Sequence, residues 1–74
     1  MIIEFKAIAF DTPHEAIQWT DASGRGKAVR LDGCNYVMDE AEADRLASLG
    51  VEFAYMCDHR MPDGAYRIIH VPVN

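Results

Sequence analysis

The chain has 74 residues, half of them hydrophobic and 26% charged, and 12 acids against 7 bases give a net charge of −5. That balance is too apolar for a disordered tail, five Gly and three Pro exclude collagen-like or Pro-rich architecture, and no apolar run approaches the ~20 residues needed to cross a bilayer. A nucleic-acid footprint requires clustered Lys and Arg, whereas the one basic group here, Arg25, Lys27 and Arg30, is flanked by Asp21 and Asp32. Neither nucleic acid nor membrane is therefore expected as a partner.

Length and patterning predict one domain over residues 1–74. The two cysteines, Cys34 and Cys57, are too few for a secreted disulfide framework. Glu4 interrupts what would be the apolar stretch of a signal peptide, with no basic start before it. A cytoplasmic protein with reduced thiols is expected.

In chain order, Met1–Phe10 alternates as a strand, with Ile3, Phe5, Ala7 and Ala9 on one face and Ile2, Ile8 and Phe10 on the other. Asp11-Thr12-Pro13 reads as a break, and Glu15–Thr20 as a short second strand with Ile17 and Trp19 on one face. Residues 21–26 read as a turn, Lys27–Asp32 as a strand, Gly33 as a bulge or tight turn, and Cys34–Met38 as the continuation. The clearest element is a helix over about Glu40–Leu49. Asp39 stands at its N-cap with Glu42 three residues on, a reciprocal capping pattern, and Gly50 is its stop. Four acids, Asp39, Glu40, Glu42 and Asp44, crowd its start, where the helix dipole favours negative charge. Val51–Asp58 and Ala65–Val73 follow as strands joined by the turn Met61-Pro62-Asp63-Gly64.

The expected fold is α+β: a mostly antiparallel sheet of four to six strands, one helix packed on one face, and an order close to ββββαββ. The expected core is Ile3, Phe5, Ile17, Trp19, Val29, Leu31, Leu46, Leu49, Val51, Phe53, Tyr55, Ile69 and Val71.

Chemical signatures are sparse. Gly24-Arg25-Gly26-Lys27 lacks the spacing and following helix of a phosphate-binding loop and reads as a hairpin tip. Cys34, Cys57, His59 and His70 supply four soft ligands, but without the paired knuckle spacing of a structural zinc site. The same residues could form a Cys–His nucleophilic pair with Asp58 as orienting group. The acids at the helix start oppose thiolate formation, and a chain this short has little room for a deep pocket. No cofactor or metal is expected.

The functional expectation follows from counting faces. One short helix covers one side of the sheet, yet the other side is apolar too, carrying Ile2, Ile8, Phe10, Met56, Tyr66 and Ile68. A sheet with one face left to water alternates apolar and polar more cleanly. Those six residues are therefore the expected interface of a homodimer, or of a contact with another protein, in a non-enzymatic interaction module. The competing class is a small Cys/His-dependent enzyme or metal-binding protein.

Overall fold

Thr12-Pro13-His14-Glu15 opens a helix. In the computed structural model, which describes residues 4–74 and only the backbone at Tyr66, the Thr12 hydroxyl accepts a hydrogen bond from the Glu15 N–H at 3.2 Å. It also contacts Glu15 Oε1 at 3.2 Å. Pro13 occupies the first turn, where its missing N–H costs nothing and its fixed φ suits a helix. The elements in order are β1 (Ile8–Phe10), α1 (Pro13–Ser23), β2 (Lys27–Leu31), β3 (Cys34–Met38), α2 (Glu40–Ser48), β4 (Phe53–Arg60) and β5 (Tyr66–Val73).

The fold is α+β, and its five strands form one antiparallel sheet in the order β1-β3-β2-β4-β5. There are two helices, so the expected order ββββαββ is corrected to βαββαββ. The segment Glu15–Thr20, expected as a strand, lies within α1. Of the expected first strand, Ile8–Phe10 pair with β3, while Ile2 and Ile3 lie outside the described residues. No described helix is long and apolar enough to cross a membrane.

The β2–β3 connection is the two-residue turn Asp32-Gly33, with φ of 50° and 78°. Both residues are left-handed, as a twist-matched hairpin turn requires. The end of α2 is equally well determined. Gly50 N–H donates to the Ala47 carbonyl at 3.0 Å and Val51 N–H to the Leu46 carbonyl at 3.1 Å, the paired closure that Gly permits after a helix.

Topology explains why the two helices cover opposite faces. β1 is parallel to β2 across β3, and β3 is parallel to β4 across β2, so α1 and α2 each sit in a crossover between parallel strands. Both crossovers move the chain the same way across the sheet, but the strands they join run in opposite directions. Right-handed connections then place one helix above the sheet and one below.

The core divides accordingly. Under α1, Ala16 and Ile17 pack on Ala28, Val37 and Met56, joined by partly buried Phe10, Trp19 and Ile68. Under α2, Ala43 and Leu46 pack on Val29, Met38 and Phe53, joined by Phe5, Tyr36, Tyr55 and Val73 among others. Three expected core residues are corrected. Leu49 is 55% exposed, Val71 49% and Ile69 38%. Leu49 is the C-cap of α2, past the buried stripe, and the other two lie on β5, the edge strand of the sheet.

Candidate interaction surface

The face expected to be open is covered within the chain. Ile8, Phe10, Met56 and Ile68 do share one face, as the strand pairings Ile8↔Val37, Phe10↔Asn35, Met56↔His70 and Asp58↔Ile68 show. That face is the one α1 packs against: Met56 is 5% exposed, and Phe10 and Ile68 lie against the same cluster. Among the described side chains of the expected interface, only Ile8, at 48%, is substantially exposed. Ile2 and the Tyr66 side chain lie outside what is described. Deriving an interface from an unpartnered face of that kind required α1 to be a strand.

The uncovered region is the far part of the β4–β5 hairpin. β4 pairs with β2 at Val29↔Tyr55 and Arg30↔Ala54, whereas β4 and β5 stay paired from Phe53↔Val73 to Arg60↔Tyr66. Beyond the reach of β2 the hairpin continues as a two-stranded arm, and the molecule measures 44 × 23 × 20 Å. The arm is closed by a three-residue loop. Gly64 N–H donates to the Met61 carbonyl at 2.9 Å and Met61 N–H to the Ala65 carbonyl at 2.7 Å, a common hairpin closure. On the α2 side of the β4–β5 hairpin, Tyr55, Cys57 and His59 stand opposite Val71, Ile69 and Arg67. Ile69, Val71 and Cys57 are exposed there.

β5 is also an edge of the sheet. The Met61/Ala65 bond sets the alternation of the ladder. Residues 67, 69, 71 and 73 turn their backbone groups toward β4, and Ile68, His70 and Pro72 turn theirs to the open side. Pro72 fits this phase, since proline is tolerated where no ladder N–H is needed. Ile68 and His70 thus present N–H and C=O groups along the free edge.

Charge is distributed unevenly around this arm. His59 and Arg67 stand on its α2 face toward the tip, with Asp58 and Arg60 on the other face and Asp63 in the loop, while the acids of α2 lie over its base. The Tyr55 phenol titrates above its ordinary value, first because it is buried and then because Asp44 and Glu40 place negative charge beside it. Lys27 Nζ stands 6.0 Å from the centre of that ring.

The acidic start of α2 is partly structural. Asp39 is the N-cap residue, but its side chain makes no capping hydrogen bond, so the expected reciprocal Asp39/Glu42 cap is corrected. Glu42 reaches elsewhere. It accepts from the Lys6 N–H at 2.7 Å and from Arg45 Nε at 2.6 Å, while Arg45 Nη2 donates to the Glu4 carbonyl at 2.8 Å. This clamp fastens residues 4–6 to α2 and seats Phe5 edge-on against Tyr36, with ring centres 5.1 Å apart. The hydrogen bond from Arg45, followed by that from Lys6, holds the Glu42 carboxyl down at about 2.

The candidate chemical residues do not converge. Cys34 pairs with Leu31 at one end of the sheet; Cys57 lies on β4 beyond Tyr55, toward the other end. His59 and His70 point to opposite faces, since His59 stands opposite Arg67 and His70 opposite Met56. Among the described residues no group of three or more His, Cys, Asp or Glu is placed to hold a metal ion. Both thiols are exposed, and the Cys34 thiol, two residues from Tyr36 on the same face of β3, is the main cause of that phenol's raised value, ahead of burial. Gly24 closes α1 by donating to the Thr20 carbonyl at 2.9 Å. Arg25 and Gly26 line a shallow 470 Å³ cavity with Lys6 and Trp19.

Sequence reasoning missed Ile69 and Val71 as surface residues because alternation assigns a face without saying how far a helix reaches along it. The signal for the free edge was Pro72, which marks an edge strand. No protein-family model, curated protein or solved structure matches this chain.

Proposed function

We propose that this chain is a non-enzymatic interaction module that binds by strand addition to the free edge of β5. The observation that carries the reading is an edge strand of eight residues whose far part stands on an arm outside the cover of α2 and β2. A two-stranded arm has little stability of its own in water. Natural sheets usually blunt a long edge with charge, proline or a covering element. Here Pro72 blocks one position of the edge and the N–H and C=O of Ile68 and His70 remain available. An added strand gains affinity from those main-chain groups and selectivity from exposed Ile69, Val71 and Cys57.

A fluorescently labelled peptide of residues 65–73 is the simplest strand of matching pattern. The reading predicts saturable binding with amide-shift changes concentrated at residues 66–71. It also predicts a loss of roughly tenfold or more in His70→Pro, where an open-side N–H is removed while the bonds of β5 to β4 are spared. Absence of saturable binding, or binding unchanged in His70→Pro, contradicts it.

A further inference from the structure

We infer that the strand occupying this edge is β5 of a second copy of the chain, paired antiparallel about a two-fold axis normal to the sheet; this rests on the strand-addition reading above. An edge strand is its own complement under that symmetry, because each outward N–H meets an outward C=O of the same segment.

The side-chain rows favour one register. Placing Ile69 opposite its own copy brings Ile68 opposite the partner's His70, so the two residues with free edge groups bond reciprocally. Tyr66 then stands opposite the partner's Pro72, where the one absent N–H falls at the end of the contact. On the α2 face, Cys57 and Ile69 continue into the partner's Ile69 and Cys57 as one unbroken apolar row. In the flanking row, Tyr55 and Val71 continue into the partner's Arg67 and His59. Arg67 of each copy is thereby carried toward the Asp44 and Glu40 carboxylates that flank the other copy's Tyr55. The arm's bases and the helix's acids, separate within one copy, meet across the axis. The product is a ten-stranded sheet with both α2 helices on one face and both α1 helices on the other.

The test uses the full chain with Cys34→Ser and Cys57→Ser, both exposed positions, and Ile69→Cys added. Residues facing each other outside the hydrogen-bonded pairs lie about 4.5 Å apart at Cα, within disulfide range. Mild oxidation is expected to give interchain dimer at Ile69→Cys and not at Ile8→Cys. Sedimentation equilibrium of the unaltered chain is expected to show twice the 8.3 kDa monomer mass. Arg67→Glu is expected to weaken the dimer severalfold, with recovery in Arg67→Glu/Asp44→Lys. Preferential crosslinking at Ile68→Cys would overturn this register. A monomer at hundreds of micromolar would overturn the second copy as occupant, and if the peptide still added to β5 the strand-addition reading would survive without it.

Discussion

Val29, Tyr55 and Val71 stand in one row across the sheet, on the same face, yet Val29 is fully buried and Val71 is 49% exposed. The difference lies in what the chain folds over each. The part of the sheet built from β1, β3 and β2 is packed from both sides, because two crossovers of the same hand and opposite strand direction supply two helices. The far part of β4–β5 is a hairpin joined by a local loop, with no crossover and so no helix of its own. Burial in this protein therefore follows connectivity as much as hydrophobicity. Apolar residues of the arm and of the edge strand β5 keep an exposed surface that the body has no element left to cover.

The largest expected effect that separates the two regions is Met56→Glu. Met56 lies under α1 at 5% exposure, and an unpaired charge there should destabilise by about 3–5 kcal/mol. Urea unfolding reads this directly. A stable Met56→Glu that merely changes association state would mean that α1 does not cover this face.

The two helix starts sharpen the comparison within the body. Thr12→Ala removes a side-chain cap hydrogen bond and should cost about 1 kcal/mol. Asp39→Ala removes none and should cost about 0.3–0.5 kcal/mol, through the dipole alone. Equal losses in chemical denaturation would contradict the difference in capping.

The Glu42 clamp predicts a specific acid response. Its carboxyl is lowered from 4.5 to about 2 in the fold, so its stabilising contribution is full above the higher value and is lost as pH falls through the lower. Glu42→Gln should reduce stability at neutral pH and flatten its decline between those two values. Parallel acid-unfolding curves for the two proteins would show that the clamp contributes nothing.

The smallest expected change is on the exposed edge strand β5. Val71→Lys should alter monomer stability by no more than about 0.5 kcal/mol, while lowering strand addition, because it sets a second cation beside the partner's Arg67 in the row flanking Ile69. Comparable loss of fold and binding would mean that Val71 belongs to the core.

Much of the fold was legible in the residues. Every strand face assigned by alternation on β1, β4 and β5 agrees with the pairings, and α2 lies within one residue of its expected span at either end. α1 was missed because Ile17 and Trp19, two apart, imitate a strand, and because Pro13 was read as a break. Pro at the start of a helix and Thr12 three residues before Glu15 are start signals. Without α1 the face that carries Met56 is left uncovered and looks like an interface; with it, Met56 is core. The exposed arm was harder to foresee. Its sequence has the same apolar alternation as a buried strand, and Ile69 and Val71 stay outside the core because β5 is the edge of the sheet; at Ile69 the pairing of β4 with β2 has ended as well.

The central claim is that the open edge of β5, and neither helix-covered face, is where this chain meets its partner. Amide hydrogen exchange followed by NMR across a concentration series tests it most directly. The account predicts that Ile68 and His70, whose N–H groups face outward in a single copy, become protected as concentration rises, while Ile69 and Val71, already bonded to β4, change little. Rapid exchange at Ile68 and His70 at every concentration, or concentration-dependent protection confined to α1, would contradict it.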